Sequence, residues 1–227
     1  SGFNFNRTGG AGGATISDNI VKSNVSSGNT SSGFYVTGNV AATVERNVFD
    51  GNTAESNTLY GVYLLGTAAG TVDINPVTRA PLETTIINNT IKNCTEGVQI
   101  NTTGNATATQ GDTIGWNTIQ NSKNNGILVY DNSDLLMVVG NIIKSSALRG
   151  IEVVDPGGPA TDEPGNGGAN LFHHNNLLEN VQQADFTTGT ATQNQYFDLL
   201  DDTGAPGQPL GGTGYRLTSN ETAVCRA

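Results

Sequence analysis

The chain has few of the residues that staple small proteins or bind polyanions. Of 227 residues two are cysteine, two histidine, one methionine and one tryptophan, and only 13% are charged. Two cysteines exclude a disulfide-dense scaffold and lack the paired spacing of a metal finger, leaving either one bridge between Cys94 and Cys225 or two independent thiols. Lysine and arginine total 10 against 20 acidic residues, a formal charge of -10. With no basic cluster to neutralise phosphates, nucleic acid and anionic membrane surfaces are excluded as partners, while neutral or cationic ligands, glycans among them, stay compatible. No apolar run approaches the roughly 18 residues of a membrane-spanning helix, and the amino end lacks a signal-peptide pattern. The first residue is Ser1 rather than Met, as expected of a processed or excised segment.

What is abundant is glycine, at 30 residues, with asparagine and threonine throughout. Glycine costs backbone entropy in a helix, and asparagine and threonine offer the backbone competing hydrogen bonds, so helix is disfavoured. Apolar residues are spread evenly and charge does not form runs, which argues against disorder. The composition predicts a β-rich, turn-rich unit. Sequons at Asn24-Val25-Ser26, Asn101-Thr102-Thr103 and Asn220-Glu221-Thr222 fit an extracellular chain, although several arise by chance in such a sequence.

A phrase repeats along the chain. Asn19, Asn47, Asn89, Asn117, Asn141 and Asn175 each follow an apolar residue by three places (Ile16, Val44, Ile86, Ile114, Val138, Phe172) and precede another by two (Val21, Phe49, Ile91, Ile119, Ile143, Leu177). Neighbouring asparagines are 28, 42, 28, 24 and 34 residues apart, a period of about two dozen with insertions, which is the mark of a solenoid. A second strand then opens on glycine in five coils, at Gly33, Gly61, Gly97, Gly126 and Gly150. The first and third residues after each glycine are apolar, as a strand with one buried face requires. Glycine suits a bend where a side chain would clash or φ is positive.

The repeat resembles that of right-handed parallel β-helix proteins, the pectate-lyase-like superfamily, over roughly residues 14–186. That resemblance implies an all-β right-handed solenoid of six to eight coils, with the asparagine column as an internal ladder and coils stacked about 4.8 Å apart. The expected organisation is one domain: an N-terminal edge over 1–13, where Phe3 and Phe5 could form another strand, coils over 14–186, and an irregular C-terminal cap over 187–227. The regular solenoid is expected to end near Ala184 to Phe186, where the glycine is lost.

Candidate chemistry lies on the outward residues. Asp131 and Asp155 stand five residues after the glycines of consecutive coils, so about one coil spacing of roughly 5 Å would separate them. Such carboxylates could serve acid and base chemistry, bind calcium, or simply terminate strands. Arg149 with His174, one of the adjacent pair His173 and His174, could neutralise a uronate and abstract its proton. Tyr35 and Tyr63 lead an outward column continued by Gln99, Leu128 and Glu152, and stacked tyrosines suit sugar faces. Lys22, Asp50, Lys92, Gln120 and Lys144 read as a solvated face. The catalytic phrases of pectate lyases, polygalacturonases and mannuronan epimerases are missing. The sequence therefore predicts a secreted or cell-surface β-helix with a structural or adhesive role, self-association and glycan contact. The alternative is a polysaccharide-active enzyme, a uronate lyase or epimerase or a glycoside hydrolase, including a fragment like a viral tail spike. No cofactor is expected beyond calcium.

Overall fold

The computed structural model describes residues 1–6, 14–39, 42–67, 83–101, 112–130, 136–154, 171–185, 195–197 and 200–201. All regular elements among them are strands. The building unit is five residues long. In Thr85-Ile86-Ile87-Asn88-Asn89 the first three form a strand with Ile86 buried, Asn88 takes the left-handed conformation (φ 55), and Asn89 turns inward. Thr90-Ile91-Lys92-Asn93-Cys94 repeats the pattern, with Asn93 at φ 58. Left-handed backbone is least costly for glycine, asparagine and aspartate. Asp18, Gly28, Gly51, Asn88, Asn93, Asn121 and Gly140 hold this place, but Ser23, Arg46, Ser56, Glu83, Trp116, Ser145, His174 and Glu179 adopt the same conformation, so the fold imposes it on residues that do not favour it.

Stacked units form the three parallel sheets of a right-handed parallel β-helix. The first sheet contains Phe3–Asn6, Phe34–Asn39, Tyr60–Thr67, Glu96–Asn101, Ile127–Tyr130, Arg149–Val154 and Gln182–Asp185. Ala14–Ser17 and Ala42–Glu45 join it through one antiparallel bridge, Asn39 to Ala42. The second sheet has seven strands, Ile20–Lys22, Val48–Asp50, Thr85–Ile87, Thr113–Gly115, Met137–Val139, Leu171–His173 and Gln195–Phe197. The third also has seven, Val25–Ser27, Thr53–Glu55, Thr90–Lys92, Thr118–Gln120, Ile142–Lys144, Asn176–Leu178 and Leu200–Asp201. Inward residues of all three sheets meet in one continuous core. Phe3 forms a strand as the sequence suggests, and its ring stacks on Phe34 at 5.1 Å.

The register differs from the asparagine alignment. Ile86 lies beside Phe49 rather than Val44, and Ile91 lies beside Ala54 rather than Phe49. Asn19 and Asn47 therefore do not share a ladder with Asn89. Their side chains bond to each other, and that file continues to Thr84, whose N–H donates to the buried Asp112 Oδ1 at 2.7 Å. The ladder through Asn89, Asn117, Asn141 and Asn175 begins instead at Asn24 and Asn52. The physical reason is that the early coils contain successive five-residue units, so sliding by one unit conserves the local apolar pattern.

In this main ladder each side-chain oxygen accepts from both the main-chain and side-chain N–H of the asparagine one coil earlier. For Asn52 donating to Asn89 the distances are 2.8 and 3.1 Å. The second amide proton of Asn89 goes to Phe49 O at 2.9 Å. Cys94 occupies a parallel file as a free, buried thiol, contacted by Asn57 Nδ2 at 3.9 Å. The suggested partner of a bridge, Cys225, lies outside the described residues.

The glycines that open first-sheet strands serve close approach rather than positive φ. A β-carbon on Gly33 would stand 2.8 Å from Gly61 O, one on Gly61 2.6 Å from Gly97 O, and one on Gly97 would collide with Gly126 O. The coil pattern also runs past residue 186, since Gln195–Phe197 pairs with Leu171–His173 and Leu200–Asp201 pairs with Asn176–Leu178. Outward charges pair between coils, Lys22 with Asp50 at 2.8 Å and Lys92 with Glu55 at 3.2 Å, partly exposed contacts that add little stability.

Asn89→Ala should destabilise the chain by about 3 kcal/mol, because buried donors of Asn52 lose their acceptor, as read by denaturant unfolding. Gly97→Ala should prevent native folding by driving a methyl group into the next coil. Gly28→Ala, at φ 65 with nothing within 4 Å, should instead cost only about 1 kcal/mol.

Candidate functional site

The outer face of the first sheet carries two adjacent columns. Tyr60, Glu96, Asn125 and Arg149 stand immediately before the glycines of four coils. Tyr60 pairs with Glu96 in register, Gly97 N donates to Asn125 O at 3.0 Å, and Gly126 N donates to Arg149 O at 2.9 Å. Three residues onward is the column predicted from the sequence, Tyr35, Tyr63, Gln99, Leu128 and Glu152, neighbours in consecutive coils.

At one end these columns are aromatic. Tyr35 and Tyr63 stack with centroids 5.4 Å apart and an interplanar angle of 27°, and Tyr60 lies 4.4 Å from Tyr63. All three are half-buried, so their rings are fixed while part of each stays accessible. A fixed aromatic face with polar hydroxyls matches the apolar faces and hydroxyl rims of sugars.

At the other end the columns form a polar network. Glu96 is 6% exposed, with Oε1 accepting from Asn124 Nδ2 at 2.9 Å and Oε2 from Asn125 N at 2.9 Å. Asn125 Nδ2 donates to Glu152 Oε2 at 2.7 Å, and Arg149 Nη1 holds Glu152 Oε1 at 2.8 Å. Asn125 Oδ1 is buried and has no hydrogen-bond partner. Burial pushes the Glu96 carboxyl above its ordinary range. The Asn124 and Asn125 donors pull it down, and the charge of Glu152 adds to the upward shift. The two carboxyl groups thus differ in setting: one is desolvated among amides, the other is paired with a guanidinium.

Of the residues singled out from the sequence, Arg149 belongs to this network and Tyr35 and Tyr63 to the tyrosine cluster. His174 does not join them. It is exposed, in the left-handed turn at φ 51 between second- and third-sheet strands, whereas Arg149 opens a first-sheet strand. The structure therefore separates the arginine and histidine that a uronate lyase or epimerase would bring together. Asp131 and Asp155 lie outside the described residues. Glu96 and Asn125 escaped sequence reasoning because they precede the strand glycine, a place read as turn. The recurrence of aromatic, acid, amide and cation at that place was the available signal.

Glu96 also gives the site a pH signature. A carboxyl whose folded pKa exceeds its unfolded value stabilises the fold at low pH, and this contribution is lost as pH rises through the folded pKa. Glu152→Gln should lower the Glu96 pKa by removing the neighbouring charge, and Asn124→Ala should raise it by removing a donor. Both shifts can be followed by the 13C resonance of the Glu96 carboxyl during titration.

Comparison with solved structures finds proteins of similar fold. The periplasmic alginate epimerase AlgG is similar at 15% identity and a TM-score of 0.50, covering 82% of this chain and 43% of that one. A double mutant of AlgG gives 16% identity and a TM-score of 0.52, over 82% and 44%. The Azotobacter vinelandii mannuronan C-5 epimerase AlgE6 A-module gives 15% identity and 0.47, over 85% and 59%. The chain thus spans less than half the length of AlgG, and the likeness is one of fold. No curated protein matches.

A family model described as periplasmic copper-binding protein (NosD) matches residues 77–204. Copper favours thiolate, thioether and imidazole donors gathered in one place. Here the Cys94 thiol is buried in a ladder file, Met137 lies on a second-sheet strand and His174 on a turn. Among the described residues no three of His, Cys, Asp and Glu are grouped to hold a metal. Glu96 and Glu152 are held by N–H donors rather than left open to a cation. The described residues do not fit a copper centre, and Asp131 and Asp155, the residues offered for calcium, lie outside them. The match nonetheless spans more than half of the sequence, and the chain belongs to the NosD family.

Proposed function

We propose that this chain is a glycan-binding β-helix of the periplasm or cell exterior, which holds a polysaccharide along the outer face of its first sheet in an adhesive or structural role. The observation that carries the reading is the stacked cluster of Tyr35, Tyr63 and Tyr60, continuous in the same columns with the Glu96, Asn125, Glu152 and Arg149 network. Aromatic platforms beside hydrogen-bonding groups are what a sugar chain needs, since each ring meets an apolar sugar face while polar side chains meet its hydroxyls. Tyr35 and Tyr63 stand on consecutive coils, about 4.8 Å apart, so two partly accessible rings offer one platform to an extended polymer. The family description names a periplasmic protein, and AlgG, which shares the fold, is a periplasmic alginate epimerase; both support this setting.

A second reading rests on Glu96. A buried carboxyl whose pKa is raised by burial, beside a second carboxyl paired with an arginine, is the kind of asymmetry used by glycoside hydrolases, one group giving a proton and the other acting as base or nucleophile. Reducing-sugar release that disappears in Glu96→Gln would favour turnover over binding.

Binding itself is tested by titration calorimetry against a panel of soluble oligosaccharides. Tyr63→Ala should weaken the best ligand by about tenfold, the loss of one stacking contact, while Tyr63→Phe should retain most of the affinity. Equal affinity of the Ala variant and the parent chain would remove the support for this face.

A further inference from the structure

Among the described residues, the amino-terminal end of the solenoid leaves its sheets at open edges. Ile20–Lys22 is the outermost strand of the second sheet and Val25–Ser27 that of the third, and each pairs only with the coil that follows. Ile20 and Val25 are 71% and 70% exposed, whereas Val48 and Thr53, their neighbours one coil on, are half-buried. Phe3, Phe5 and Ile16 pack on the core from the same end and stay half-exposed. An edge with unpaired main-chain groups is a template for a further strand.

The hydrogen bonds between coils define what that strand must carry. A complete asparagine link has three of them: Asn52 N and Nδ2 donate to Asn89 Oδ1 at 2.8 and 3.1 Å, and Thr90 N donates to Asn52 O at 2.9 Å. The later coil thus supplies a side-chain oxygen and a main-chain N–H, and the earlier coil supplies their complements. Asn19 and Asn24 are later partners with no earlier one. Their amide groups already donate, Asn19 to Asn47 Oδ1 and Ser17 O, Asn24 to Asn52 Oδ1 and Lys22 O. No donor among the described residues reaches the Oδ1 of either. The N–H groups of Ile20 and Val25 face the same side, in the places from which Val48 N and Thr53 N donate to the coil before at 2.8 Å.

We infer that this end is a docking surface for one further β-helical coil, and that the coil carries asparagine in the fifth place of its second-sheet unit. The coil-to-coil interface inside the molecule then continues across the end without change of register. An apolar strand alone would cover Phe3 and Val21 but leave Asn24 Oδ1 without a donor. A second copy stacked end to end lacks the required amide, because the residue before its outermost described third-sheet strand, Leu200–Asp201, is Leu199.

The chain contains a coil suited to the test. Residues 112–124 carry the second- and third-sheet strands Thr113–Gly115 and Thr118–Gln120 with Asn117 between them, and the Asn125-Gly126-Ile127 that follows corresponds in register to Ser1-Gly2-Phe3. A copy of residues 112–124 fused ahead of Ser1 in the full chain should lay its asparagine beside Asn24. The melting temperature should rise by about 5 °C, and amide exchange at Ile20 and Val25 should slow by about tenfold or more. With Asn117→Ala in the added copy alone, most of both effects should be lost. If the alanine copy stabilises and protects as well as the asparagine copy, the end accepts any apolar cover and the inference is overturned. It is equally overturned if the asparagine copy changes neither melting nor exchange. Slow exchange at Ile20 and Val25 in the parent chain, with nothing added, would mean that the end is already covered by this chain or by a second copy, and overturns it as well.

Discussion

The asparagine ladder is the interaction on which the rest of this molecule depends. Turning a chain after every three strand residues leaves main-chain N–H and C=O groups in the interior, where each costs free energy unless paired. Asparagine in the fifth place solves this by symmetry. Its oxygen accepts two protons from the coil before, and its amide gives one proton to the next asparagine and one to a strand carbonyl, as Asn117 does with Asn141 Oδ1 at 3.0 Å and Ile86 O at 2.9 Å. Every link satisfies two coils, so the ladder fixes register as well as stability. Where Cys94 or Asp112 takes the place of asparagine, neighbouring backbone still finds a partner or comes close, but the exchange is incomplete. Asp112 Oδ2 and Thr84 Oγ1 are buried without one.

Much of this was legible in the sequence because the interior tolerates so little variation. The inward pairs Val62 and Leu64, Val98 and Ile100, Ile127 and Val129, and Ile151 and Val153 were readable from their distance to a glycine, and all are buried. The fold class was readable for the same reason. Register was not. Ile16, Val21 and Ser26 hold the second place of three successive units in one coil, and each can be laid beside Ile86 by a slide of whole units. The choice of Val21 and Phe49 for that file depends on contacts between coils, which a single sequence does not display.

The candidate site was legible only in part, for a related reason. Outward residues are not constrained by the core, so no periodicity announces them. The column of Tyr35, Tyr63, Gln99, Leu128 and Glu152 could be counted because it lies within a strand of period two. The column of Tyr60, Glu96, Asn125 and Arg149 precedes the glycine, where the alternation is interrupted and the side chains return to the outer face beside residues three places on. That interruption brings Arg149 to Glu152 and Tyr60 to Tyr63, and a strict alternation would have set them on opposite faces.

The two kinds of column also explain how one fold separates stability from variation. Inside, each coil must repeat the last, since an asparagine or isoleucine out of place disrupts two neighbours. Outside, consecutive coils carry tyrosine, glutamate, asparagine and arginine in one file, and nothing in the ladder opposes the change. Even so, the outer face of the first sheet is not an ordinary solvated surface. Glu96 and Gln99 are each 6% exposed and Leu128 is 8% exposed, whereas Lys22, on the outer side of the second sheet, keeps a side chain 64% exposed. Desolvation of a carboxyl group is costly, and the fold would be as well served by an uncharged residue there. A buried glutamate held by two amides, next to an amide oxygen with no donor, is therefore a cost that the repeat of the coil does not itself require.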